Sequence, residues 1–186
     1  MAKTSNLITA ALLLLFQPFS AYAIKFQTVD AERVRMAQPD PEWPDDTPTY
    51  NATALQAQLD AHRAIWDAFA GEPKNYDMSF ERICFCPEQW RGPFAMRVRS
   101  GKVESATYLS ESMRESSVDP DLLRGLLTVD GVFNEIQKGL DRSYVDLQIT
   151  YNETAGYPSS FYSDTSKRIA DDETTFRISD LVLVDE

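Results

Sequence analysis

The sequence predicts an α+β domain: an antiparallel sheet with two helices packed on one face. Three observations carry this expectation. Apolar side chains recur at helical spacing over residues 55–69 and at strand spacing over residues 76–80, 94–98, 145–151 and 176–184. The order reads helix, strands, helix, strands. Removal of a leader of 23 residues from the chain of 186 leaves 163, enough for one ordinary domain.

The first helix is expected from Thr53, a candidate N-cap, to Gly71, with Pro73 just beyond. Leu55, Leu59, His62, Trp66 and Phe69 follow at steps of 4, 3, 4 and 3, which is one face of an amphipathic helix. Next, Tyr76, Met78 and Phe80 alternate with Asp77, Ser79 and Glu81 as in a half-buried strand. Phe94, Met96 and Val98 do the same, and Ser100-Gly101 makes a two-residue turn that pairs Val98 with Val103. Residues 110–118 are polar and read as a loop. Asp119-Pro120 opens a short helical turn as N-cap and N1. A second helix starts at Thr128, with Val129, Val132 or Phe133, Ile136 and Leu140 as its core stripe. Val145, Leu147, Ile149 and Tyr151 share one strand face, residues 152–164 turn into another strand, and Phe176, Ile178, Val182 and Val184 lie in phase on the last. The domain is therefore placed at 53–186. The order can also be read as a duplicated α-β-β-β unit, with repeats at 53–109 and 119–186, whose strands share one sheet while the other sheet face meets water.

The N-terminus reads as a secretory signal. Lys3 precedes the apolar run Leu7–Phe16, and Ala21-Tyr22-Ala23 supplies a cleavage site, so residues 1–23 are expected to be removed. The apolar run is too short to span a bilayer of about 30 Å. No cysteine stands near the cleavage site, so no lipid anchor is expected, and the product is placed in a periplasm or outside the cell. Residues 24–52 form an arm or linker. Residues 37–52 are rich in proline and acid, and 24–36 are able to add a short edge strand. Without the leader, 17 basic side chains face 29 acidic ones, a net of −12. That balance repels nucleic acid and anionic lipid surfaces and favours solubility.

Little in the chain reads as assembled chemistry. His62 is the only histidine and lies on the apolar stripe, where a packed, hydrogen-bonded ring is expected before a catalytic or metal-binding one. Nucleophile-elbow, phosphate-loop, dinucleotide and zinc-protease signatures are absent from the sequence. Asp164, Asp171, Asp172 and Glu173 are oxygen ligands suited to Ca²⁺, although Lys167 and Arg168 interrupt them; a solvated hairpin tip is the plainer reading. Asn51 and Asn152 head glycosylation sequons, which matter only in a eukaryotic secretory route.

The two cysteines, Cys84 and Cys86, fall in "RICFCPEQW". A secreted chain with two cysteines favours one disulfide. In a regular strand their Cα atoms would stand roughly 6.6–6.8 Å apart, the upper limit for a bridge. A bend or bulge is therefore needed. Strict alternation from Tyr76 would point Arg82 inward and Ile83 and Phe85 outward, so a one-residue bulge near Arg82 is expected to bring Ile83 and Phe85 into the core. Free or intermolecular thiols and redox or metal chemistry are the alternatives to a structural disulfide.

Three segments together resemble a family of bacterial secreted proteins and lipoproteins labelled only as a domain of unknown function. They are "YDMSFERICFCP" with Trp66 ahead of it, "TVDGVFNEI" from Thr128, and "YNETAGYP" from Tyr151, with Gly156, Tyr157 and Pro158, followed by Asp164, Asp172 and Glu173. The likeness spans about residues 60–183. Where the family reads Tyr-Asp before the glycine turn, this chain has Asn152, and it lacks the lipobox cysteine many members carry. The resemblance implies an extracytoplasmic location and no catalytic residue.

The function expected from the sequence is binding of a protein or small ligand, without a cofactor, by a non-catalytic periplasmic or secreted protein. The alternative is a thiol-redox or metal-handling accessory that uses Cys84 and Cys86.

Overall fold

The computed structural model describes residues 44–114 and 116–185. The expected signal peptide, residues 1–23, and residues 24–43 of the expected arm, with the edge strand expected there, lie outside the described residues.

Helix α1 (Ala52–Ala70) starts two residues earlier than the Thr53 cap implies. Asn51 is the cap: its side-chain oxygen accepts from Ala54 N at 3.0 Å, which satisfies one of the amides left unpaired in the first turn. Leu59 and Trp66 are buried, whereas Phe69 is 40 % exposed, so the apolar stripe is narrower than its spacing predicts. Helix α2 (Pro120–Gly125) is the short turn expected after Asp119, whose carboxylate accepts from Asp121 N. Helix α3 (Val129–Asp141) is capped by Thr128 and buries Val129, Val132, Phe133 and Ile136.

The strands are β1 (Tyr76–Cys84), β2 (Phe94–Arg99), β3 (Lys102–Tyr108), β4 (Asp146–Tyr151), β5 (Pro158–Asp164) and β6 (Thr174–Leu183). They form one six-stranded sheet in the order β3-β2-β1-β6-β5-β4, with every neighbouring pair antiparallel. Ser100 (φ 48°) and Gly101 (φ 69°) both take left-handed backbone, the geometry of the expected two-residue hairpin, and Val98 pairs with Val103. The helices and the inward side chains of both halves share one core, from Leu59, Trp66 and Phe133 to Tyr76, Phe80, Phe94, Phe161 and Ile178.

The element order repeats and the strands of both halves share one sheet, but the halves differ in strand direction. From β1 to β3 and from β4 to β6 the strands step across the sheet in the same sense, yet β1 and β4 run in opposite directions. No rotation that keeps the helices on one face reverses strand direction while preserving that sense. The halves are joined through β1 and β6 instead.

That joint holds an irregularity which the sequence reading misplaced. Between the pairs Asp77–Val182 and Ser79–Ser179, β6 has one more residue than β1. Asp180 absorbs the difference with φ 53°. Phe176 and Ile178 point into the core as expected, but beyond the bulge the phase inverts: Leu181 packs against the core and Val182 is 62 % exposed.

The end of the arm is docked onto the domain. Thr49 N donates to Val145 O at 2.9 Å, and Asp46 accepts from Ser166 Oγ and Lys167 N while pairing with Arg168.

Tyr76 ties sheet to helix. Its buried hydroxyl accepts from Val129 N at 3.0 Å, taking an amide of the first turn of α3. Tyr76→Phe removes that acceptor and strands a buried donor, so it is expected to cost about 1–3 kcal/mol in urea unfolding. A loss below about 0.5 kcal/mol would mean that the amide finds another partner.

Candidate functional site

Alternation along the strands, shifted at bulges such as Asp180, divides the sheet into a sealed face and an open one. The open face carries cross-strand rows set by register. Asp77, Arg97 and Ser105 form one row, and Ser79, Ala95 and Thr107 the next. Glu81, Arg177 and Ser160 form a third, and Ile83, Thr175 and Tyr162 a fourth at the cysteine end. A depression of about 530 Å³ lies over the first two rows, lined by Asp77, Ser79, Arg97, Ser105, Thr107 and Asp180. Asp77 is held by Arg99 at 2.8 Å, while Arg97 is exposed and its side chain has no hydrogen-bond or ion-pair partner among the described residues. Glu81 and Arg177 pair at 3.3 Å in the middle of the face.

At the far end a second hollow of about 330 Å³ is lined by Ile83, Cys84, Phe85, Tyr162, Asp171, Glu173 and Thr175. Here the expected bulge near Arg82 does not occur. Alternation continues to the end of β1, and Arg82 stays on the helix side. The reason is the partner set. Its guanidinium lies over the rings of Trp90 and Phe176, at 5.7 and 5.3 Å, and donates to Gly125 O at 3.2 Å. Arginine tolerates such an apolar slot because its flat, weakly hydrated head stacks on rings. Burial still lowers its pKa, while Glu135 opposes the shift. Consequently Ile83 is 42 % and Phe85 80 % exposed, on the open side instead of in the core.

Cys84 and Cys86 form a close pair with Cα atoms 5.3 Å apart, nearer than a regular strand allows. The strand stops at Cys84 and the backbone bends through Phe85 and Cys86. Arg91 Nε donates to Cys86 O at 2.9 Å and Arg82 N to Arg91 O at 2.7 Å, which holds the returning loop. If the pair is bridged, the purified chain is two hydrogens lighter than after reduction and takes up alkylator only once reduced. Immediate double alkylation of the native chain would exclude the bridge.

The other residues singled out in the sequence have structural duties. Gly156 takes φ 79° and lies against the backbone of α1: a Cβ there would come within 2.6 Å of His62 O and 2.7 Å of Trp66 N. Tyr157 meets Trp66 edge-on at 6.2 Å, and Pro158 begins β5. Asn152 shapes the loop, its side-chain oxygen accepting from Thr154 N and Ala155 N. An aspartate at this position would supply the same acceptor. His62 stacks on Tyr151 at 4.0 Å with the rings 3° from parallel.

Burial is the first cause of the raised Asp164 pKa, and the acidic run lies close enough for Asp172 and Glu173 to add to it. Asp164 accepts from Ser166 N, Asp172 from the Thr165 hydroxyl, and Asp171 turns the chain with φ 65°. Among the described residues no group of three His, Cys, Asp or Glu side chains is arranged to hold a metal ion. Asp164, Asp171 and Asp172 thus have turn roles of the kind the plainer hairpin-tip reading expects. The sequence reading missed Arg97, Tyr162 and the outward position of Phe85. Uninterrupted alternation from Tyr76 would have found Phe85.

Over residues 58–183 the chain matches a family of unknown function, DUF6174, and it belongs to that family. No curated protein and no solved structure matches it.

Proposed function

We propose that this member of the family is an extracytoplasmic protein that acts by binding, with its partner on the open face of the sheet. The observation that supports this most is the asymmetry of the sheet. Helices and core cover one side, while the other presents several hollows and the side chains of Arg97, Asp171 and Glu173, which have no hydrogen-bond or ion-pair partner among the described residues. A sheet face that needs no cover for folding is available for recognition. The location rests on the leader sequence. It implies that the mature chain begins at Ile24, which N-terminal sequencing of the secreted product checks.

The binding reading is tested in the cell by a photo-crosslinking residue at Ser79 on the open face or at Asp60, exposed on α1. A discrete adduct from position 79 and none from position 60 is the expected result. Equal labelling from both would overturn it.

The close cysteine pair supports one second reading, a thiol-redox accessory. A measured reduction potential below about −300 mV would mark the bridge as structural and rule that role out. The binding reading expects such a structural bridge.

A further inference from the structure

We infer that the Cys84 end of the open face is a docking surface for a partner-protein segment in which a cationic side chain neighbours an aromatic or aliphatic one. This inference rests on the binding reading above and specifies the chemistry of its partner.

The apolar part comes first. Ile83 and Phe85 are large, exposed and adjacent to Tyr162 across the hollow. Exposing a phenylalanine forgoes about 1.5–3 kcal/mol of burial. Nothing in the fold recovers that loss, because alternation keeps Arg82 on the core side and turns Ile83 outward. The bend after Cys84 then carries Phe85 clear of the sheet. A lone exposed apolar residue is ordinary, but a cluster lining a hollow marks a contact site.

The rim decides the partner. Asp171 and Glu173 line the hollow and have no hydrogen-bond or ion-pair partner among the described residues. No lysine or arginine lines it. Of the cations in the neighbouring strand and turn, Arg177 pairs with Glu81 and Arg168 with Asp46; Lys167 has no side-chain hydrogen-bond or ion-pair partner among the described residues and does not line the hollow. Burial first, and then Asp164, Glu173, Asp146 and Asp172, push the Tyr162 phenol upward, as expected of a negative field over the hollow. An apolar lip inside a negative field repels anionic peptides and anionic lipid headgroups. It accepts an aromatic side chain against Phe85 and Tyr162 with Lys or Arg beside it on Asp171 and Glu173. The chain's own excess of 29 acidic over 18 basic side chains steers such a segment inward.

The test uses the mature chain and three fluorescent peptides of equal length, alternating Lys with Phe, Lys with Ser, or Glu with Phe. The Lys–Phe peptide is expected to bind, more weakly as salt rises, and the other two at least about tenfold less tightly. Phe85→Ser, and separately Asp171→Asn with Glu173→Gln, are each expected to weaken Lys–Phe binding about tenfold. These residues are exposed, so unchanged melting verifies the fold of each variant. Equal binding of Lys–Ser, indifference to Phe85→Ser, or no binding of any peptide would overturn the inference. If Ser79→Trp blocks the Lys–Phe peptide and Phe85→Ser does not, this docking site fails while the open-face reading stands. Binding unaffected by either change counts against both.

Discussion

Gly156→Ala is expected to destabilise the domain by about 2–5 kcal/mol, one of the two largest effects in the molecule. Two costs combine. The residue holds φ 79°, which disfavours any side chain. The new Cβ would also fall 2.6 Å from His62 O, 2.7 Å from Trp66 N and 2.8 Å from Ile65 Cβ, mostly rigid helix backbone. Relief requires the loop before β5 to lift from α1 and to loosen Tyr157 from the fully buried Trp66. Gly101→Ala is the internal control. Its φ is 69°, but no atom lies within 4 Å of the added Cβ, so only the backbone cost of about 1–2 kcal/mol remains. Urea unfolding of both variants reads the difference. Equal losses would mean that the loop does not sit on the helix as described.

The second large effect is alkaline. Burial, reinforced by Asp130 against the hydrogen bonds from Val129 and Thr128, pushes the Tyr76 phenol far above its ordinary value. Burial likewise raises Tyr151 to about 12, partly offset by Arg63. At Lys74 burial opposes the charge, but Asp67 at 2.7 Å and Asp130 at 3.0 Å outweigh it and raise the ammonium pKa. In each case the folded state binds its proton more tightly than the unfolded chain. Their stabilisation is therefore complete below about pH 10, where unfolded phenols begin to ionise, and is lost as pH climbs through the folded values. Tyr151 alone accounts for about 1–3 kcal/mol between about pH 10 and 12, after allowance for its partial contact with solvent. Unfolding midpoints should hold steady up to about pH 10 and fall steeply above it. The Tyr76→Phe, Tyr151→Phe double variant, less stable at neutral pH, should fall less steeply. An equal slope would assign the alkaline loss to general charge repulsion.

The fold class, the elements and the inward faces of β1, β2 and α3 were legible because each rests on local periodicity. Met78, Met96 and Ile136 announce their burial through spacing alone. The strand order was not legible, since the pairing of β1 with β6 joins residues almost a hundred apart. The bulge at Asp180 was hidden for a related reason: it is a property of two strands in register, and "ISDLVLV" reads as unbroken alternation. Arg82 misled because a charge at an inward position normally argues for a phase change, whereas Trp90 and Phe176, distant in sequence, provide its stacking slot. The same error hid the candidate site, because it placed Ile83 and Phe85 in the core. The glycine-tyrosine-proline motif was visible as a motif, but its purpose needed the position of α1.

The most direct test of open-face binding is carbene footprinting of the chain from Ile24 onward, alone and with cell and culture-medium extracts of its own host. Ile83, Phe85 and Tyr162 report on the open face, and Ile65 and Phe69, 39 and 40 % exposed on α1, report on the helices. The account predicts loss of labelling at the first three and none at the last two. Protection of Ile65 and Phe69, with Phe85 still labelled, would contradict it and move the functional surface to the helix side.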